Sequence, residues 1–210
     1  MKTTDELVAE AREALLRGPL YRVRESAVPG GVEAVNSEGV EFPKGSGLYA
    51  ISAPDPSCLR DVTLDVTPCS CGLLYVGKAE RSLAKRDVRQ HFGTGKTGRS
   101  TVRRTFAALL VDKLGLTPVP VYGPAGTAAG PKTFVLDPES EAALTEWMTE
   151  HLALRVWTPP SDAVVLADVE RGVIAGLNPP LNLTHAGPRP RLKAARKAMV
   201  ELAVKSRYVR

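Results

Sequence analysis

Apolar positions along the chain fall into short segments with two different periods. The first segment, DELVAEAREALL, has helical spacing, begins after a threonine that can cap a helix, and stops at Gly18-Pro19. Two later segments, GLYAIS (47–52) and GLLYVGK (72–78), are apolar and aromatic in the manner of strands. Between the helix and the first strand, frequent glycine, proline and turn pairs predict a loop that can hold a short hairpin.

The second half of the chain alternates between helical and extended patterns. It predicts a helix over 82–92, a helix in STVRRTFAALLVDKLG, a loop over VPVYGPAGTAAGPKT and a strand in KTFVL. A helix capped by Asp137 follows, then a strand in LRVWTP, an apolar helix over 161–176 and a basic helix in RPRLKAARKAMVELAVKSR. Strands mixed with helices predict an α/β or α+β protein built around a small sheet.

Positive charge is concentrated in two zones of a chain that carries a net charge of +5 over 210 residues. Residues 81–104 contain eight arginines and lysines against one acid, and residues 185–210 contain eight more against one acid. Two such zones are typical of a surface that binds phosphates. Either zone alone is as typical of a solvated helix face. Arg103 and Arg104 lie off the apolar stripe of their helix, so we expect both at the surface.

Several classes of protein do not fit this sequence. No apolar run approaches the roughly 18 to 20 residues that a membrane span needs, and the charged N-terminus lacks the apolar block of a signal peptide, so we expect a cytoplasmic location. Cys58, Cys69 and Cys71 are an odd number without a fourth nearby zinc ligand, which indicates free thiols. GTGKTG lacks the spacing of a Walker loop, and the three histidines form no i, i+4 pair, which disfavours nucleotide hydrolysis and a metalloprotease site.

The remaining candidates for chemistry are an acid, two strand-end tyrosines and a run of arginines. Glu170 lies in an apolar helix, where a buried carboxylate is costly unless it binds a metal ion or another cation. Positive charge near a tyrosine favours its phenolate form. Phosphodiester hydrolysis needs a proton acceptor for water, positive charge over the transition state and a metal ion at the leaving oxygen. The residues therefore suit that reaction.

Five short motifs follow one another in a fixed order along most of the chain. GLY at 47–49 is followed by YVG at 75–77 and by LAKRDVRQH at 83–91, and ERGVIAGLNPPLN places Asn182 twelve positions after Glu170. In this order they resemble the GIY-YIG nuclease superfamily, including its restriction endonucleases and the incision nuclease of bacterial excision repair. The resemblance implies a small central, mostly antiparallel β-sheet flanked by helices, here with inserted helices and a basic C-terminal helix.

The resemblance also implies a role for each matching position. Tyr49 and Tyr75 would orient or deprotonate the attacking water, while Gly77 would let the backbone turn closely. Glu170 would hold one Mg²⁺ or Mn²⁺ ion, and Asn182 would position the cluster. The other catalytic positions carry positive charge or can do so, and they are Lys78, Arg86 and His91.

The spacing of one pair departs from the family pattern. The helical arginine and the following tyrosine or histidine are usually four residues apart in the family, whereas Arg86 and His91 are five apart. Either the helix is adjusted at this point or one residue is misassigned, with Arg89 or Arg81 as substitutes. The same departure leaves open a nucleic-acid-binding module that keeps the fold without cutting.

We therefore expect an N-terminal helix and loop (1–40), a GIY-YIG-like nuclease domain with insertions (41–185) and a basic C-terminal helix (186–210). The expected function is metal-dependent hydrolysis of DNA phosphodiester bonds in restriction, defence or repair. Alternatives are the non-catalytic module and a structure-specific or RNA nuclease. The expected partner is double-stranded DNA, with no membrane and with a homodimer as an open option. The expected phosphate-binding residues are Arg81, Arg89, Lys96, Arg99, Arg103, Arg104, Arg191 and Arg196.

Overall fold

A five-stranded antiparallel sheet forms the centre of the protein in a computed structural model, which describes residues 2–27, 31–122 and 133–206, without the side chains of 85–87. The strand order is β2-β1-β7-β3-β4, and a separate hairpin pairs β5 with β6. The strands are β1 (Tyr21–Glu25), β2 (Val32–Asn36), β3 (Gly47–Ser52), β4 (Leu73–Ala79), β5 (Pro118–Val121), β6 (Thr133–Leu136) and β7 (Ala153–Trp157). This α+β architecture confirms the expected mostly antiparallel sheet flanked by helices.

Helices cover both faces of the sheet. One face is packed against α1 and α4, and the other against a π-helix, α2, α3 and α5. No helix in the described ranges is both long and apolar enough to cross a membrane. The helices are α1 (Thr4–Arg17), the π-helix (Ala84–Phe92), α2 (Thr101–Leu114), α3 (Pro138–His151), α4 (Leu166–Leu177) and α5 (Pro190–Ser206).

Strand β3 is buried along its whole length, which explains why GLYAIS is almost continuously apolar. Leu48 and Ala50 contact the layer of α1 and α4, whereas Tyr49 and Ile51 contribute to the core on the opposite face. Successive side chains of a strand alternate between faces, so Tyr49 must point into the layer that contains the π-helix. Gly47 permits the close approach of β7, because a Cβ at this position would lie 2.4 Å from the carbonyl oxygen of Trp157.

The segment over 84–92 is a π-helix, whereas the sequence predicted an ordinary helix over 82–92. Its first residue follows Leu83, and no side chain caps its N-terminus. The hydrogen bonds of a π-helix join residues five apart instead of four. Backbone positions 86 and 91 are therefore one turn apart. Of the two explanations for the unusual spacing, the structure supports the adjusted helix.

Two strands from the N-terminal part of the chain belong to the central sheet. Strands β1 and β2 form an antiparallel hairpin, and β1 continues the sheet by pairing with β7. The hairpin thus lies within the central sheet, and the expected division of the chain at residue 40 stays a prediction. Helix α4 begins at Leu166 instead of Ser161, because Val164 N donates to Ser161 O in a turn ahead of the helix. Residues 123–132 of the predicted loop lie outside the described residues.

Two expectations about individual side chains are wrong. Cys69 and Cys71 form a disulfide, so only Cys58 is a free thiol, and burial raises its pKa. Arg103 is fully buried, although it lies off the apolar stripe of α2. Its Nη2 lies 2.6 Å from Glu141 Oε2, and that ion pair is the reason that the guanidinium can leave water.

The ion pair between Arg103 and Glu141 holds the loop between the π-helix and α2. Arg103 donates to the His91 carbonyl oxygen and to Thr97 Oγ1, and Glu141 accepts from the backbone N–H groups of Gly95 and Thr97. Burial lowers the pKa of Arg103, and the charge and hydrogen bond of Glu141 oppose that shift. The pair thus fixes both ends of this loop to α3.

We expect Arg103→Met to lower the free energy of unfolding by about 3–5 kcal/mol, because it leaves the Glu141 carboxylate buried without its cation. Urea denaturation measures the change. Arg171→Met is the matched control, since Arg171 forms an exposed ion pair with Asp168 and should cost at most about 1 kcal/mol. Equal effects of the two substitutions would contradict the role of the buried pair.

Candidate active site

An open cleft of about 600 Å³ lies beside β4, at one edge of the sheet. Residues from β3, β4, the π-helix and α4 line it, so both helical layers contribute to one surface. Its polar lining brings together five of the residues predicted from the sequence, four catalytic candidates and the phosphate-binding candidate Arg81. The full set is Tyr49, Tyr75, Lys78, Ala79, Glu80, Arg81, Ser82, Gln90 and Glu170.

Tyr49 is anchored beneath this cleft. Its side chain is buried, and its ring centroid lies 6.0 Å from that of the half-buried Tyr75. Gly77, the neighbour of Tyr49 across the strand pair, provides the space for the ring. A Cβ at Gly77 would lie 2.5 Å from Tyr49 Oη. The motif glycine is therefore required by the close approach of the phenol, and Gly77 has no positive φ angle of the kind that a tight turn would need.

His91 is joined directly to Tyr49. Its Nε2 lies 2.8 Å from Tyr49 Oη, and its Nδ1 lies 2.8 Å from Ser100 Oγ. The side chain is only 2% exposed, so this histidine is not a solvated residue of the helix surface. The π-helix gives His91 this position even though it is five residues from Arg86. The side chain of Arg86 lies outside the described residues.

Asn182 closes the free edge of β4. Its Oδ1 accepts from Val76 N at 2.9 Å, and its Nδ2 donates to Val76 O at 2.8 Å. One residue earlier, Leu181 N donates to Leu74 O. Unpaired backbone groups at a sheet edge otherwise attract other chains or water. Asn182 therefore supports the strand that carries Tyr75 and Gly77, and this contact agrees with the positioning role that the resemblance implied.

Glu170 and Lys78 line the cleft from the side of α4. Lys78 pairs with Leu48 across the sheet, which places it on the face opposite Tyr49. Its Nζ lies 2.9 Å from Glu80 Oε1, and its side chain is 28% exposed. Glu170 is half-buried and faces the cleft, whereas its apolar neighbours in sequence suggested full burial. The carboxylate is thus accessible to a ligand.

The predicted phosphate-binding residues differ in exposure. Arg81, which lines the cleft, is exposed. Arg104 and Arg196 are half-buried on α2 and α5. Arg103 is a correction, because its guanidinium is enclosed by protein partners and cannot reach a phosphate in this conformation. The other exposed members of the set are Arg89, Lys96, Arg99 and Arg191.

Arg104 and Arg196 bring two positive charges close to Tyr75. Burial lowers the pKa of Arg196, the charge of Arg104 lowers it further, and Tyr75 acts in the opposite direction. Burial alone lowers the pKa of Arg104, whose guanidinium donates to Gly98 O at 2.7 Å and to Thr101 Oγ1 at 3.3 Å. Arginine remains charged despite such shifts. Arg104 and Arg196 thus place two positive charges near each other.

Sequence reasoning missed Ser100 and Glu141. Ser100 accepts a hydrogen bond from Arg103 N and so caps α2, a role that its place before the helix signals. Nothing in the sequence signals that the same hydroxyl contacts His91. Glu141 looks like an ordinary acid in the first turn of α3, and only its distance from Arg103 in the folded chain shows its importance.

Comparison with known families agrees with this geometry. The model of the GIY-YIG catalytic domain matches residues 47–202 of the 210-residue chain. Comparisons with curated proteins and with solved structures gave no significant match. The matched region includes Tyr49, Tyr75, His91, Glu170 and Asn182, and domains of this family are generally nucleases that depend on a divalent metal ion. The protein belongs to the GIY-YIG family, and this membership suggests a nuclease-type function.

Proposed function

We propose that this protein is a metal-dependent endonuclease that hydrolyses phosphodiester bonds in DNA. The observation that supports this most strongly is the hydrogen bond between Tyr49 and His91 beneath a cleft that Glu170 also lines. A proton acceptor and a carboxylate thus flank one open space.

The chain's own residues divide the work of the reaction between them. Tyr49, held by His91, orients or deprotonates the attacking water, and Tyr75 assists at the cleft rim. Lys78 adds positive charge beside the scissile phosphate, and Arg86 is proposed to do the same from the π-helix. Fixed positive charge stabilises the negative charge that grows on a phosphate in the transition state. Asn182 acts indirectly, because it fixes β4.

The residues of the cleft fit one Mg²⁺ or Mn²⁺ ion. Magnesium is commonly bound by one or two carboxylates, with waters and substrate phosphate oxygens completing the site. Within the described ranges, no group of three or more histidine, cysteine or acidic side chains could form a complete protein cage. Glu170 would therefore hold the ion together with the phosphate. When bound, the ion would supply Lewis-acid stabilisation of the leaving oxygen.

Double-stranded DNA is the proposed substrate, because basic side chains occur at the cleft and on or beside α2 and α5. Arg81 lines the cleft, Arg104 and Arg196 are half-buried on α2 and α5, and Arg99 and Arg191 are exposed just before α2 and in the first turn of α5. Charges spread in this way suit a backbone that carries a phosphate at regular intervals. The π-helix weakens the spacing argument for a module that binds without cutting, because it places backbone positions 86 and 91 one turn apart. A homodimer and a cytoplasmic location remain predictions.

We expect Glu170→Gln to reduce metal-dependent nicking of plasmid DNA by about 100-fold or more, because the amide carries no charge to hold the ion. Gel assays with Mg²⁺, with Mn²⁺ and with EDTA measure the rate. Asp168→Asn is the matched control, since Asp168 lies exposed on the same helix in an ion pair with Arg171. Full activity of Glu170→Gln would contradict the assignment of Glu170 as the metal ligand. If the unaltered protein cleaves RNA and not DNA, RNA is the substrate.

We expect Arg104→Gln and Arg196→Gln each to weaken binding of duplex DNA and to reduce its salt dependence. Loss of one phosphate contact should lower the slope of log K against log salt by about 0.9. Fluorescence anisotropy in EDTA over a range of salt measures binding without cleavage. Arg24→Gln is the control, because Arg24 pairs with Glu33 on the β1–β2 hairpin, at the far side of the sheet from β4. An equal slope for all three variants would exclude the two arginines from the DNA interface.

A further inference from the structure

We propose that Ser100 is a positioning residue that fixes the protonation of His91. In this proposal Ser100 holds the ring in the tautomer that carries its proton on Nε2, and that proton is donated to the phenolic oxygen of Tyr49. The tautomer follows from contacts in the protein alone. Only its consequence for catalysis rests on the proposed nuclease function.

The hydrogen bonds of Ser100 decide which atoms donate and which accept in the series Ser100–His91–Tyr49. Ser100 is completely buried, and its Oγ accepts from Arg103 N at 3.0 Å as the cap of α2. Its only other hydrogen-bond partner in the described structure is His91 Nδ1, at 2.8 Å. The hydroxyl hydrogen therefore has one acceptor available, which is Nδ1. If Nδ1 carried the proton instead, the buried hydroxyl hydrogen would have no acceptor, and an unsatisfied buried donor is destabilising.

A neutral imidazole has one N–H group and one acceptor nitrogen. Since Nδ1 accepts from Ser100, Nε2 carries the proton and donates to Tyr49 Oη, 2.8 Å away. The hydrogen bonds therefore run in one direction, from Ser100 through His91 to Tyr49. The opposite tautomer would make Tyr49 the donor and His91 the proton acceptor.

Buried contacts fix the positions of His91 and Ser100 relative to each other. Arg103 donates to the carbonyl oxygen of His91 and, through its backbone N–H, to the side chain of Ser100. Glu141 binds the same arginine and also the backbone of the intervening loop at Gly95 and Thr97. A displacement of Ser100 relative to His91 would break several of these buried bonds. The buried ion pair thus supports the tautomer as well as the fold.

The tautomer assigns different roles to Tyr49, His91 and Ser100. A hydrogen bond donated to the phenolic oxygen stabilises the phenolate over the phenol. In its phenolate form, with its own proton released to solvent, Tyr49 is therefore the group that takes a proton from water, and His91 supports it without taking that proton itself. Because Ser100 is completely buried and does not line the cleft, its contribution to the reaction passes through His91.

Nitrogen-15 NMR of histidine-labelled protein tests the assignment without any cleavage. The chain has three histidines, and His91→Gln identifies the relevant signals among those of His151 and His185. At a pH where His91 is neutral, we expect an unprotonated Nδ1 and a protonated Nε2. A protonated Nδ1 in the unaltered protein, alone or together with a protonated Nε2, would overturn the proposal.

Three variants of Ser100 separate its capping role from its bond to His91. Ser100→Thr keeps the hydroxyl and should keep the tautomer. Ser100→Ala and Ser100→Gly remove the hydroxyl, although glycine preserves most of the capping stability. We expect both to introduce the Nδ1–H tautomer and to lower kcat by about tenfold or more at unchanged KM. An unchanged tautomer in both variants would show that Ser100 is only a helix cap. Absence of cleavage by the unaltered protein would refute the proposed nuclease function, but it would not affect the tautomer measured by NMR.

Discussion

The edge of the sheet at β4 is the constraint on which the rest of the structure depends. Val76 presents a backbone N–H and a backbone C=O away from β3, and both must find partners. The amide of Asn182 supplies both at once, and that contact draws the chain after α4 back to the sheet. Glu170 lies on α4, the helix that precedes this segment, and it faces the cleft beside β4. A backbone requirement thus brings distant parts of the sequence to one site.

The same loop is held from its other end by Arg189. This arginine is buried, and its guanidinium donates to the carbonyl oxygens of Asn178, Pro179 and Pro180 as well as to Asn178 Oδ1. Asn178 ends α4 in the left-handed conformation, with a φ of 46°. In the sequence, Arg189 is one of the eight basic residues of the zone over 185–210. In the folded chain it satisfies carbonyls that the two prolines and the helix end leave without partners.

Much of the fold could be predicted because its signals are local. GLYAIS is a strand over the predicted residues, and Asp137 caps α3 with Pro138 at its first turn. The motif order also led to Tyr49, Tyr75 and Glu170, which line one cleft. The side-chain contacts that the sequence did not predict have a shared cause. Arg103 and Ser100 have partners that are far away in sequence or belong to another element, and a pattern of single residues cannot reveal which partner a polar side chain will meet.

The π-helix illustrates how a local irregularity can serve a distant requirement. Phe92 is completely buried in the core, and His91 must reach Tyr49 on β3 from the same helix end. A π-helix gives poorer backbone geometry than an α-helix, so it persists only where surrounding contacts stabilise it. Here the carbonyl of His91 is bound by Arg103, and its ring is bound at both nitrogens. The buried ion pair, the irregular helix and the orientation of Tyr49 are therefore parts of one interdependent arrangement.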